Sequence, residues 1–142
     1  MSVELLLDNS AWARLGDASL PAGRADEIAA ALEAGRVAAS LPFLLEAGYS
    51  ARSASDHAEL VEELLALPLM QIDGEIELRA IDTQRQLARA GHHRLPPVDL
   101  ILAVIADRHS LGVLHYDADF DIIGTKTDLG FESVWLAPRG TL

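Results

Sequence analysis

The stretch "PPVDLILAVIADRHSLGVLHYDADFDII", Pro96 to Ile123, decides the fold. Pro97 suits the first turn of a helix, where its missing N–H costs nothing, and the apolar run behind it carries that helix to His109. "LGVLHY", Leu111 to Tyr116, then reads as a short buried strand. Three aspartates follow at alternate positions, Asp117, Asp119 and Asp121, while Asp99 stands in the first turn of the preceding helix. A helix feeding a buried strand that ends in acid is a building unit of an α/β protein with a parallel sheet.

The same unit recurs outward from this stretch. Val3 to Leu7 reads as a first buried strand ending at Asp8, and Asn9 or Ser10 is placed to cap a brief helix carrying Trp12 and Leu15. Pro21 opens a second helix with Ile28 and Leu32 on one face, stopped by Gly35. Arg36 to Ser40 is a weak second strand, and Pro42 starts a helix running through Glu46 to about Ala51. Ser55 to Leu67 is amphipathic, with Leu60, Val61, Leu64 and Leu65 predicted inward and Asp56, Glu59, Glu62 and Glu63 outward. "LPLMQI" is a third strand, a helix spans about Asp73 to Ala90 before Gly91, and "ESVWL" is the last strand. Short strands alternating with helices predict an α/β fold with a mostly parallel sheet of about five strands.

Length and composition bound the function. A chain of 142 residues fits one domain with a core of its own, and its half-apolar content excludes a disordered chain. With no cysteine, disulfides, thiolate zinc sites and cysteine nucleophiles are excluded, which accords with a cytoplasmic location. The opening "MSVELLLDNS" lacks the basic region of a signal peptide, and no apolar run is long enough to span a membrane. The net charge of −11 runs against nucleic-acid binding, which calls for local basicity. One window supplies it: Thr83 to Val98 holds no carboxylate, but contains Arg85, Arg89, His92, His93 and Arg94. Arg89 and Arg94 are the candidate cations for any phosphate-bearing ligand, RNA included, although Arg89 also suits the C-terminal end of its own helix.

Sites in open α/β sheets form at the carboxyl ends of strands. Asp8, Asp117 and Asp119 map to that edge directly. Glu46 and Asp99 join them if the crossovers are right-handed, because their helices then start there. Two carboxylates about 5 Å apart repel by about 3 kcal/mol at an effective dielectric near 20, so such a cluster calls for a cation. Oxygen-only ligation suits Mg²⁺ or Mn²⁺, and the spacing leaves one ion or two open. Each acid also has a plainer reading: a helix cap at Asp117 or Asp119, a dipole partner at Asp99, a turn at Asp8, a solvated position at Glu46. Those readings must all hold at once, at one sheet edge, to dispense with the site. "DADFDIIGTKTD" is not a calcium loop, since Ile122 stands where glycine is needed and Asp128 where glutamate is. A metal-dependent phosphatase of the haloacid-dehalogenase type needs a second acid two residues after Asp8, and Ser10 is there instead.

At these residues the chain resembles the PIN-domain ribonucleases, and most closely the VapC toxins of bacterial type II toxin–antitoxin modules. "LLLDNS" is similar to their opening strand, "LPFLLEAGYSAR" to the segment carrying an acidic helix residue, and Pro96 to Ile123 to the region ending in D-x-D-F. The resemblance covers nearly the whole chain and implies one PIN domain over residues 1–142, with a three-layer α/β/α arrangement. It implies Asp8, Glu46, Asp99 and Asp117 as the catalytic acidic quartet, and Asp8, Asp99, Asp117 and Asp119 as the metal-facing set. Ser10 would support the site by hydrogen bonding. It further implies Mg²⁺- or Mn²⁺-dependent RNA cleavage, a homodimer, and a VapB-type antitoxin that blocks the site. A catalytically silent PIN-like binding module is the rival from another class. Phe43, Leu44, Leu45 and Tyr49 are too many for one narrow buried face, so part of that helix is expected to meet a partner. Asp121 is read as a solvated or capping residue.

Overall fold

The computed structural model describes residues 2–142. Five strands form one wholly parallel sheet: β1 (Leu5–Leu7), β2 (Val37–Ser40), β3 (Leu69–Met70), β4 (Gly112–His115) and β5 (Glu132–Trp135). Their order across the sheet is β3-β2-β1-β4-β5. The chain therefore builds one half of the sheet outward from β1, returns, and builds the other half from β4. The strand order reverses beside β1, which makes the carboxyl ends of β1 and β4 the switch point where such sheets bind ligands.

Every residue of β2 and β4 is buried, so both faces of the sheet are covered, as parallel strands require. The helices are α1 (Asn9–Trp12), α2 (Ala22–Glu33), α3 (Leu41–Tyr49), α4 (Ala54–Leu64), α5 (Gly74–Arg89), α6 (Pro97–His109) and α7 (Asp119–Lys126). They complete a three-layer α/β/α arrangement. At the centre lies α6: Leu102 to Ala106 are fully buried in succession, as in a helix wrapped on all sides. It packs on β1 and β4 and against α3, α5 and α7, which fixes its first turn, and Asp99, over the sheet edge.

Four local readings of the sequence give way to the structure. The cap of α1 is Asp8, not Asn9 or Ser10: its carboxylate accepts from the Ser10 N–H. Leu65 is 58% exposed because α4 ends at Leu64, and the C-cap position turns its side chain off the apolar face. The third strand pairs at only Leu69 and Met70, and β1 begins at Leu5. Both are strand-end effects, since pairing partners, not apolar character, set where a strand begins and stops.

Gly112, the first residue of β4, shows how tightly the central strands are packed at the edge opposite the acids. A Cβ there would lie 3.0 Å from both Leu5 Cδ2 and Val134 Cγ2, at the middle of three paired strands. Gly112→Ala is expected to cost about 1–3 kcal/mol, the usual penalty for overpacking. A denaturant midpoint within error of the unaltered protein would contradict that packing.

Candidate acidic site at the carboxyl edge of the sheet

Asp8 ends β1 with its side chain only 2% exposed. One oxygen is held by Ser10, through its backbone N–H at 3.0 Å and its hydroxyl. Ser10 in turn accepts from the Tyr116 N–H at 2.8 Å, tying the end of β1 to the end of β4. Asp99, in the first turn of α6, is 5% exposed. Asp117 follows β4, and its Oδ1 accepts from the Asp119 N–H at 3.0 Å, which starts α7. Asp99, Asp117 and Asp119 each bring a carboxylate oxygen within 4.8 Å of the other two. Asp8 stands outside that tight triad, and Glu46 on α3 is a half-buried neighbour. The sequence-predicted acids thus converge on one edge, with three of the four metal-facing residues in mutual reach.

The electrostatics follow from burial and like charge. Burial, followed by the charges of Asp8, Asp117, Asp119 and Glu46, pushes the Asp99 carboxyl up to about 8. Asp8 is also raised, mainly by burial and against the pull of its Ser10 hydrogen bonds. Burial raises Glu46, with Asp8 and Asp117 adding to it, and raises Asp119 with help from Asp117. Among the described residues, no ion pair involves any of these acids.

The buried side-chain polar atoms left without a hydrogen bond among the described residues are Asp8 Oδ1, Ser40 Oγ and Asp99 Oδ2. All three sit at this edge, Ser40 being the last residue of β2. Buried oxygens without partners are costly, typically about 1–3 kcal/mol each and more for charged groups. Hard, unpartnered oxygen donors, two of them from carboxyl groups that a cation would hold ionised, fit a divalent cation of the Mg²⁺ or Mn²⁺ type.

Two neighbours escaped the sequence reading. His115 is fully buried on β4, and burial holds its imidazole down to about 4 despite Asp121 and Asp117 nearby. Nδ1 accepts from the Asp117 N–H at 3.0 Å, which leaves the proton on Nε2 for Ser133 Oγ at 2.7 Å. The ring thereby fixes the backbone of Asp117. A polar residue at a buried strand position next to the acids was the available signal. Arg14 donates to the Ser10 carbonyl at 2.8 Å and lies 4.8 Å over the Tyr116 ring, placing a cation at the rim. Its position four residues after Ser10, just past a short helix, was the only clue.

The other predicted residues scatter as follows. Arg89 ends α5 and Arg94 lies in the turn before α6; both are exposed and make no ion pair among the described residues. Asp121 is not merely solvated or a cap: it accepts from Ser133 Oγ at 2.7 Å and Trp135 Nε1 at 2.9 Å, pinning α7 to β5. On α3, Phe43 is buried while Leu45 and Tyr49 are 65% and 92% exposed.

A five-stranded parallel sheet with acids gathered at its switch point fits the PIN class of α/β domain, and the PIN domain family matches residues 5–126. Ribonuclease VapC51 of Mycobacterium tuberculosis is 38% identical over 142 residues, covering all of this chain and 99% of that protein. The DNA-bound VapBC structure from Salmonella typhimurium superposes with a TM-score of 0.73 at 17% identity, over 95% of this chain and 99% of that one. VapC20 of Mycobacterium tuberculosis, a sarcin–ricin loop cleaving toxin, superposes with a TM-score of 0.64 at 19% identity, over 85% and 95% of the two chains. The chain belongs to the VapC family of PIN-domain proteins.

Proposed function

We propose that the protein is a metal-dependent endoribonuclease toxin, built as one PIN domain and held in check by a VapB-type antitoxin. The observation that carries this reading is a carboxylate cluster with buried, unpartnered oxygens on Asp8 and Asp99, in a chain of the VapC family. Asp99, Asp117 and Asp119 would hold Mg²⁺ or Mn²⁺, with Asp8 completing the set from the end of β1. When bound, the cation supplies a polarised phosphodiester and an activated water.

The chain's own groups do the rest. Ser10 locks the Asp8 carboxylate and the Tyr116 backbone in one frame, and His115 fixes the backbone of Asp117. Glu46, raised by burial and less buried than Asp8 or Asp99, would serve as the general base for a water at this edge. Arg14 at the rim, with Arg89 and Arg94 further out, gives RNA phosphates a path across an otherwise acidic surface. The antitoxin is assigned to an apolar groove of about 620 Å³ between α3 and α6, lined by Leu45, Tyr49, Val98 and Ile101 and reaching Glu46. A partner there would cover exposed apolar surface and close the site together; a second copy of the chain is assigned to the remaining apolar surface as a homodimer. VapBC complexes among the similar structures support the antitoxin partner. No helix among the described residues is long and apolar enough to cross a membrane.

Purified protein is expected to cleave single-stranded RNA with Mg²⁺ or Mn²⁺, to stop in EDTA, and to leave a small phosphate monoester intact. Turnover of the ester without RNA cleavage would place the protein among phosphatases. RNA binding without cleavage of any substrate would make it a silent binding module.

A further inference from the structure

A second concavity, about 570 Å³, opens one strand beyond the acid cluster. Its walls include Trp135 at the end of β5, Pro21, Pro138, Arg139, Arg24 and Asp121. Trp135 is the register partner of His115, the residue that fixes Asp117, so the cavity and the cluster share the ends of β4 and β5. The indole N–H is already committed to Asp121, and what the ring offers the cavity is carbon surface. Both oxygens of Asp121 accept hydrogen bonds. Arg24 spends Nε and Nη2 on the carbonyls of Leu136 and Trp135, at 2.9 and 3.0 Å, and Nη1 on Glu27. Arg139 is exposed and makes no ion pair among the described residues. Between the cavity and the site runs a row of rings and cation, with Trp135 edge-on to Tyr116 at 5.6 Å and Arg14 over the Tyr116 face.

We propose that this cavity holds one unpaired nucleobase of the RNA strand being cleaved, stacked on the wall formed by Trp135 and Pro138, with Arg139 on a neighbouring phosphate. The proposal rests on the ribonuclease reading above and adds where the strand is gripped. Its physical motive is the net charge of −11. Long-range electrostatics oppose RNA on such a protein, so affinity must come from contacts that do not depend on overall charge. Base stacking on an aromatic ring is such a contact, and every base has a face to offer. The wall is largely apolar and its polar groups are mutually satisfied, which suits a ring and not a bare phosphate. Arg139, without an ion pair among the described residues, suits the phosphate that must follow.

The test uses the full chain and short single-stranded RNAs in EDTA, where cleavage stops, with binding read by fluorescence anisotropy. Trp135→Ala is expected to weaken binding at least about fivefold, and Trp135→Phe to retain most of it. Arg139→Ala should weaken binding and flatten its salt dependence by about one phosphate contact. Because Trp135→Ala also strips contacts from His115 and Tyr116, the deciding arm leaves the protein untouched. A single abasic residue is moved along the RNA, and one position, at a fixed offset from the bond cut in unmodified RNA, should lose about fivefold or more in affinity. Even binding across that scan, by a protein that still cleaves RNA, overturns the nucleobase assignment alone and leaves the cavity to a protein segment. No RNA binding and no cleavage by the unaltered chain overturns both this assignment and the ribonuclease reading.

Discussion

Asp99→Asn is expected to lower RNA cleavage by more than about 100-fold while making the metal-free protein more stable at neutral pH. Changes to groups that merely orient metal ligands already cost about 10–100-fold, so loss of a ligand charge should exceed that. The stability sign comes from linkage. With its carboxyl pushed up to about 8, mainly by burial and then by its acidic neighbours, Asp99 holds a proton in the folded chain that the unfolded chain releases. No penalty exists below about pH 4, where both states are protonated. Between about pH 4 and the folded value near 8, metal-free stability should fall by about 1.4 kcal/mol per pH unit, then level off. Asparagine removes that slope, worth about 4 kcal/mol at pH 7, and the cost of a buried amide offsets about 1–3 kcal/mol of it. Urea midpoints from pH 4 to 8 would check this. A structural Asp99, serving only the helix dipole, predicts the opposite sign, a loss of at most about 1 kcal/mol.

Divalent cation should restore what the cluster costs. At about 100 times its dissociation constant, an ion that binds only the folded state adds about 2.7 kcal/mol. For a chain of this length that raises the melting point by roughly 5–15 °C. Na⁺ at matched ionic strength screens the excess acid without filling the site, so it should deliver only a small part of the rise. Equal shifts from Mg²⁺, Mn²⁺ and Na⁺ would leave charge screening as the whole effect.

The fold was legible where apolar runs and punctuation agreed. Pro97 and the long apolar face placed α6 at Pro97–His109, and Asp73 and Gly91 bracketed α5. The convergence of the acids was legible too, because parallel topology sends strand ends and helix starts to one edge. What stayed hidden was set by tertiary distance. Nothing in the spacing separates Asp8, which Ser10 holds back, from the tight triad of Asp99, Asp117 and Asp119. His115 was marked in the sequence only as a polar residue on a buried strand; the Ser133 contact that fixes its tautomer lies 18 residues away on the neighbouring strand. Asp121 likewise declares itself only through Ser133 and Trp135. Leu65 was misplaced for a local reason, since the helix ends at Leu64, three residues short of the expected Leu67, and leaves Leu65 at the C-cap facing outward.

The central claim is that the buried acids form a cation site whose occupancy displaces the Asp99 proton. The direct measurement is calorimetric titration of the metal-free protein with Mn²⁺ at pH 7, run in two buffers of different ionisation enthalpy. The account predicts saturable binding that releases close to one proton per protein, tightens as pH rises toward 8, and is lost in Asp99→Asn. Binding to Asp99→Asn with the same affinity and the same proton release, or no binding to the unaltered chain, would contradict it.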